Sequence, residues 1–260
     1  GPVSALFEVA GMSESQQATD DCILVSKGIS KSFGGVQALD SVSFDLRPGE
    51  VHALVGENGA GKSTYIKILC GIHKRDTGEI NFLGAPYLCE DVVSARRTGI
   101  GLVPQLIHLA DDLTVAENIF MGLYPRKPSG RVDWNGMYEK AGEVAKVFGM
   151  QDMVRRKVRG LSTGRRQMIE ILKTLVFDTK IIAFDEPTAS LSQDETAALF
   201  KIIADLRAKG IGIIYVSHRL EELFQIADRV TVLKDGKYVG TEGIADVSKE
   251  RIVSMMVGRE

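Results

Sequence analysis

The nine residues Gly56-Glu57-Asn58-Gly59-Ala60-Gly61-Lys62-Ser63-Thr64 satisfy the spacing G-x-x-x-x-G-K-[ST], and their types suit the binding of phosphate. Glycines let a backbone curl closely around an anion with its N–H groups turned inward, and a following helix adds the positive end of its dipole. Lys62 can then reach β- and γ-phosphates, Ser63 can bind Mg²⁺, and Thr64 can contact a phosphate by hydroxyl or amide. The context agrees. A strand-length apolar run, Val51-His52-Ala53-Leu54-Val55, precedes the motif, and Tyr65-Ile66-Lys67-Ile68-Leu69 follows it with helical apolar spacing. The chemistry asked for is that of a nucleoside-triphosphate site.

Other reactive side chains stand at the ends of apolar runs. Ile100-Gly101-Leu102-Val103 leads into Pro104-Gln105, and Ile181-Ile182-Ala183-Phe184 into Asp185-Glu186. A third run, Ile211 to Ser217, leads into His218. A hard cation favours carboxylate oxygen, so Asp185 is placed to hold Mg²⁺ directly or through water. Glu186 can serve as general base for an attacking water, a contribution of ~10²–10⁴ in rate. Gln105 can bind the metal or the water through its amide oxygen, and His218 can hydrogen-bond the γ-phosphate and hold water and Glu186 in line. Taken singly, each of these is an ordinary loop residue; the joint occurrence carries the reading. In open α/β sheets ligands sit at the carboxyl ends of the strands. If the four strands are parallel neighbours, Lys62, Gln105, Asp185, Glu186 and His218 converge on one γ-phosphate.

The elements that must do this positioning are legible in outline. Ile23–Ser26 and Val42–Leu46 read as short strands broken by Gly34-Gly35, and Arg47-Pro48-Gly49-Glu50 turns into the strand before the phosphate loop. Gly71 ends the helix after that loop, and Gly78–Gly84 reads as an edge hairpin. These pieces predict a small antiparallel layer beside a parallel core. Non-alternating apolar runs joined by a helix at Asp194–Lys209 predict strands buried on both faces. Helical spacing dominates residues 106–175, where Val115–Met121, Met137–Phe148 and Gln167–Val176 read as helices of an insertion. Phe33, next to Gly34, can stack on a purine, worth about 1–3 kcal/mol by analogy with base stacking, or sit half-buried in a strand. Spacing alone does not separate the two.

Composition bounds the rest. The chain has 260 residues, 44% hydrophobic and 25% charged, enough for one large domain or two small ones. A formal net charge of -2 argues against a nucleic-acid partner, and no apolar run approaches the ~18 residues of a membrane span. Cys22, Cys70 and Cys89 are scattered and read as small core residues, neither a disulfide frame nor a metal site. Residues 1–21 hold little core-forming material, and Ser13–Asp21 is polar enough for disorder; Gly1-Pro2 fits the scar of a cleaved tag and Met12 a natural start.

The ordered set of Phe33, GENGAGKST (56–64), Gln105, LSTGRRQ (161–167), IIAFDEP (181–187), Ala189-Ser190-Leu191-Ser192 and His218 resembles the ATPase domain of ABC transporters. The resemblance runs from about residue 22 to the end. It implies an α/β fold, with a P-loop NTPase core of mostly parallel sheet, an antiparallel β-subdomain and a helical subdomain at about 106–175. It implies Phe33 as the adenine-stacking aromatic, Gly56–Thr64 as the ATP loop and Gln105 as the Q-loop residue. Leu161-Ser162-Thr163-Gly164-Arg165 become the signature loop, 189–192 the D-loop, and His218 the switch histidine. In that family two domains pair head to tail, each ATP lying between one phosphate loop and the other domain's signature loop. Ser162 and Gly164 suit this, since they open a helix whose N-terminal amides can take the facing γ-phosphate. The segments GGVQALDSVSFDLRPGEVHALVGENGAGKS, LTVAENIFMG and VSHRLEELFQIADRVTVLKDG are similar to the first half of bacterial sugar-importer ATPases, as is the terminal Met255–Glu260. This implies a second fused ATPase domain beyond residue 260, an integral membrane permease, an indirect link to a periplasmic or extracellular solute-binding protein, and a place on the cytoplasmic face of the membrane. Mg²⁺ would be held by Ser63, Gln105 and Asp185.

Three positions depart from the family pattern. Thr163 stands where glycine or another small residue is usual, and Arg165 where glutamine is usual; either could weaken the trans contact. Tyr65 replaces a usual leucine and reads as a packing variation. Among competing functions, a chromosome-type ATPase needs a long coiled coil, and only about 55 positions separate Gln105 from Leu161. A GTPase lacks its N-K-x-D base reader. A catalytically silent half of an asymmetric pair is opposed by the presence of both Glu186 and His218. The expectation is a Mg·ATP hydrolase powering import of a sugar or similar small solute, with residues Gln105 to Met121 docking the membrane subunit.

Overall fold

The computed structural model describes residues 21–189 and 191–258. Expectations for residues 1–20, for Ser190 within the 189–192 turn and for the terminal Arg259-Glu260 fall outside these. Among the described residues two sheets form. In the larger, the strands β3 (Val51–Val55), β6 (Ile100–Val103), β7 (Ile181–Asp185), β8 (Gly212–Val216), β9 (Arg229–Lys234) and β10 (Lys237–Gly243) lie in the order β10-β9-β3-β8-β7-β6. All neighbours run parallel except the β9–β10 hairpin. The smaller sheet is antiparallel, with β1 (Leu24–Phe33), β2 (Val36–Leu46), β4 (Thr77–Phe82) and β5 (Ala85–Pro86) in the order β2-β1-β4-β5. The expected α/β architecture, a mostly parallel core beside a small antiparallel layer, is what forms. The first strands are longer than expected, each reaching the Gly34-Gly35 turn.

Burial parity explains the central strands. Side chains alternate across a strand, so a strand covered on both faces needs apolar residues throughout. Leu54, Ile181, Ala183, Ile214 and Val216 enter one core, shared with the antiparallel sheet and with helix α1 (Lys62–Leu69). Their neighbours Val51, Ala53, Val55, Ile182, Phe184, Ile213 and Tyr215 enter a second core on the opposite face. That face is covered by three helices: α6 (Gln193–Ala208), α7 (Leu220–Ile226) and α8 (Lys249–Val257). Fully burying each such Val, Leu or Ile contributes ~1.5–3 kcal/mol, which outweighs the slightly lower stability per residue of parallel pairing.

Between β4 and β7 lie α2 (Val92–Thr98), α3 (Val115–Ile119), α4 (Trp134–Ala145) and α5 (Thr163–Leu175). The last three share a separate core built on Val115, Ile119, Met137, Ala141, Ile169 and Leu172. A capping box starts α3: Thr114 accepts from the Glu117 amide while Glu117 takes the Thr114 amide, satisfying two orphan donors. Sequence periodicity missed α2, α7 and α8 and the β9–β10 hairpin. Three of these four are shorter than ten residues, too short to show a period.

Tyr65 is a core residue, as its reading as a packing variation requires. It is fully buried, its ring tilted against Phe44 with centroids 5.4 Å apart. Ser26 spends its one hydroxyl proton on Phe44 O at 3.0 Å, so the Tyr65 hydroxyl donates to Ser26 Oγ at 2.7 Å. Tyr65→Phe therefore leaves no donor stranded and costs about 0.5–1.5 kcal/mol in urea unfolding, with nucleotide affinity unchanged.

Candidate active site

Strand order decides what meets. Adjacent placement of β3, β8, β7 and β6, all parallel, puts the carboxyl ends of four strands on one edge of the sheet. A cleft of about 730 Å³ opens there, lined by Gly56–Gly59 and Gly61–Thr64 from the loop after β3, Gln105 after β6, Glu186 after β7 and His218 after β8. Met256 of α8 completes it, a contribution that nothing in the sequence marked.

The loop's tight path needs glycine at two points. Gly56 has φ +154°, and a Cβ there would collide with Leu233 O of β9. Gly61 has φ +99°, and its Cβ would lie 2.6 Å from both Ala38 O and Leu39 Cδ2 of β2. The loop is thus clamped between the two sheets. Lys62, buried at the start of α1, donates to Gly56 O at 2.8 Å and Glu57 O at 2.9 Å. Burial pulls its pKa below the ordinary lysine range, and the nearby Glu186 and Asp185 oppose that shift. An ammonium so desolvated binds an arriving anion more strongly than an exposed one does.

Ser63 Oγ donates to Asp185 Oδ1 at 3.1 Å, joining positions 122 residues apart. Burial pushes the Asp185 carboxyl above its ordinary range, with the Ser63 hydrogen bond opposing. Glu186 adopts a left-handed backbone, φ +49°, rare for a side chain of its size, and its amide donates to Val216 O at 2.9 Å. That conformation is reached at a strand end next to reactive groups. The Glu186 Oε2 atom lies 3.2 Å from Gln105 Nε2, which donates to it, and 3.3 Å from His218 Nδ1. Of the residues expected at one γ-phosphate, Lys62, Gln105, Glu186 and His218 line one cleft, and Asp185 is joined to it through Ser63.

The donor set suits Mg²⁺. Two oxygen donors, Ser63 Oγ and Asp185 Oδ1, face each other beside the phosphate loop, and among the described residues no cluster of three or more His, Cys, Asp or Glu could enclose a metal. Mg²⁺ uses few protein ligands and fills its octahedron with phosphate and water oxygens, whereas Zn²⁺ would want such a cluster.

Ala60 and Asp185 are buried behind the cleft lining, Asp185 reaching it through Ser63, and two further sets of expected residues lie outside it. Phe33, 42% exposed, meets His73 edge to face at 5.0 Å and Lys31 Nζ at 5.3 Å. The strand β2, which begins three residues later, lies against Gly61. Leu161–Arg165 lie elsewhere as well. Ser162 caps α5, accepting from the Arg165 amide at 3.4 Å, and Ser162, Thr163 and Arg165 are exposed. Gly164 is buried and donates its amide to Glu195 Oε1 at 2.9 Å. The Ser192 and Gly164 amides hold the Glu195 carboxyl below its usual range. The S-x-x-E spacing of Ser192 and Glu195 marks a helix cap, but nothing in the sequence linked Glu195 to Gly164. His52, by contrast, is structural: burial drives its pKa down to about 3, and its ring nitrogens are occupied by Asp45 O and Thr231 Oγ1.

Two substitutions test this geometry. Gly61→Ala forces β2 away from the loop, so phosphate affinity and melting temperature fall together, by isothermal titration and calorimetry. Asp185→Asn removes a buried charge. Because the native state holds the Asp185 proton at a higher pH than the unfolded chain does, the ionised form is a penalty above that window. The variant without nucleotide therefore melts higher than the parent at neutral pH. The gain vanishes as pH falls below the ordinary carboxylate range.

Comparisons with known proteins agree with the geometry. Residues 39–189 match the family model described as ABC transporter. The chain is 50% identical over 246 residues, 93% of its length, to a putative ribose/galactose/methyl galactoside import ATP-binding protein of Burkholderia cenocepacia. It is 49% identical over 242 residues, 92% of its length, to a similarly named protein of Burkholderia lata. It covers 48% and 47% of those two proteins, so the chain spans about half the length of the curated relatives it matches. Among solved structures, the ADP conformation of an ATP-binding cassette of an ABC transporter superposes with a TM-score of 0.77 at 27% identity, covering 92% of this chain and 96% of that one. With the glycine-rich loop, Glu186 and His218 lining one cleft, and the family model spanning the loop and Glu186, the chain belongs to the ABC transporter family.

Proposed function

We propose that the chain binds Mg·ATP in this cleft and hydrolyses it to power import of a sugar or similar small solute through a separate membrane permease. The observation that carries the hydrolytic reading is the meeting of Glu186 with both Gln105 and His218 beside Lys62 and Ser63. The names of the relatives support the sugar.

Each residue takes a role its position supports. Lys62 leaves its two loop carbonyls for the β- and γ-phosphates, with Gly56–Thr64 cradling the chain of phosphates. Ser63 and Asp185, joined by Gln105 through its amide oxygen, would hold Mg²⁺. When bound, the ion neutralises charge on the β- and γ-oxygens. Glu186 accepts a proton from the water that attacks the γ-phosphorus in line. The bond to the β–γ bridging oxygen breaks, and ADP leaves with the electron pair. His218 hydrogen-bonds the γ-phosphate and keeps Glu186 aimed at the water. Phe33, exposed at the end of β1, stacks on the adenine.

The exposed Ser162, Thr163 and Arg165 face the γ-phosphate of a second ABC ATPase domain, whether fused to this one or a second copy. Gly164 joins them once its amide leaves Glu195. Leu106, 70% exposed, and Met121 form part of the surface that meets the permease. The chain works at the cytoplasmic face against that permease, with a solute-binding protein acting from the other side; no described helix is long and apolar enough to cross a membrane.

Glu186→Gln should retain Mg·ATP affinity while hydrolysis falls by ~10²–10⁴, the range expected for loss of a general base. A variant that hydrolyses ATP at the parent rate sinks the assignment. Static light scattering of the same variant should show a doubling of mass with Mg·ATP and none with Mg·ADP. Photo-crosslinkers at Leu106 and Met121 should reach a permease in membranes; crosslinks that never do so remove that surface.

A further inference from the structure

We infer that Glu222 is a positioning residue for the hydrolytic centre, tying the segment that carries Glu186 to the segment that carries His218. The inference rests on the proposed ATPase reading and deepens it. Glu222 lies in the first turn of α7 and is 6% exposed; it does not line the cleft. Its carboxyl group gathers three buried hydroxyls. Thr188 Oγ1 donates to Oε1 at 2.8 Å and Oε2 at 3.0 Å, Tyr215 OH to Oε2 at 2.9 Å, and Ser217 Oγ to Oε2 at 3.0 Å. Arg219 Nη1 adds a longer contact to Oε1 at 3.4 Å, and the Arg219 amide closes the turn on Ser217 Oγ at 3.0 Å.

The identity of these partners is the argument. Thr188 follows Glu186 by two residues, Ser217 immediately precedes His218, and Tyr215 anchors the group to β8. One buried acid therefore fixes both chain segments whose side chains meet at 3.3 Å in the cleft. Glu186 needs such restraint, because a left-handed backbone at a non-glycine residue persists only where its surroundings over-determine it. A buried acid is a poor choice for stability alone, since apolar side chains of the same volume pack a core at least as well. Its merit here is direction: three hydroxyls converge on two oxygens in one arrangement. Burial and the adjacent Glu222 also push the Tyr215 hydroxyl well above its usual pKa, so it stays a donor.

The test uses the full chain. Glu222→Gln keeps the shape and replaces one acceptor oxygen by an amide donor; Thr188→Val and Ser217→Ala each remove one arm and serve if the first variant fails to fold. Four quantities are read for each: melting temperature, Mg·ATP affinity, hydrolysis at saturating ATP, and the NMR resonances of the His218 ring without nucleotide. Glu222→Gln should hold Mg·ATP affinity within about twofold, lower hydrolysis by about tenfold or more, and shift the His218 ring signals, the single-arm variants following to a smaller degree. His218 signals and hydrolysis that stay at parent values in all three variants overturn the inference. So does a loss of Mg·ATP affinity and melting temperature in step with hydrolysis, which marks a purely structural role. A parent chain that binds no Mg·ATP refutes the ATPase reading instead, and the His218 resonances then decide alone whether Glu222 sets that ring.

Discussion

Parallel pairing of β3, β8, β7 and β6 is the constraint on which the site depends. Each pair shares backbone hydrogen bonds in a fixed register, Ala53 opposite Tyr215, Asp185 opposite Val216 and Val103 opposite Phe184. Register in a parallel sheet fixes not only neighbours but ends. A slip of one residue in β7 would turn its core side chains to the opposite face and move Asp185 away from Ser63. The apolar alternation that fills the two cores on either side is therefore the same feature that holds the reactive residues at one edge.

That edge carries costs the rest of the fold offsets. Lys62 and Asp185 are both buried with their pKa values moved toward the neutral forms, and Glu186 sits in a sparsely populated backbone conformation. The two electrostatic costs are demands that a triphosphate and a divalent cation would answer: a desolvated ammonium seeks phosphate, and a desolvated carboxylate seeks a metal. The clamped glycines at 56 and 61 keep the loop from relaxing around these groups, so the site is largely formed before ligand arrives.

Much of this was legible in the sequence because strand-terminal polar residues follow apolar runs whose composition betrays double-sided burial. Gln105, Asp185, Glu186 and His218 are read on that basis and the phosphate loop on its motif spacing, and the parallel order of their strands is what the structure adds. Less legible were features that depend on tertiary partners. Glu222 looks like any acid on a short surface helix until Thr188, Tyr215 and Ser217 surround it. Glu195 meets Gly164 across 31 positions, and no local pattern reports such a contact. The left-handed φ of Glu186 has no signature, since nothing about glutamate favours it. Phe33 stood between two readings in the sequence, and the structure puts it at the exposed end of β1, outside the cleft lining.

The central claim is that side chains from separate strand ends act on one bound cation–phosphate unit. A double-mutant cycle on Ser63→Ala and Asp185→Asn, read as Mg·ATP affinity by calorimetry, tests it most directly. Two oxygens that share one ion, 3.1 Å apart, predict strong coupling, with the double variant losing little more than the worse single one. Losses that simply add, to within about 0.5 kcal/mol, would mean that the two residues act on different things, and the account of the site would fall with them.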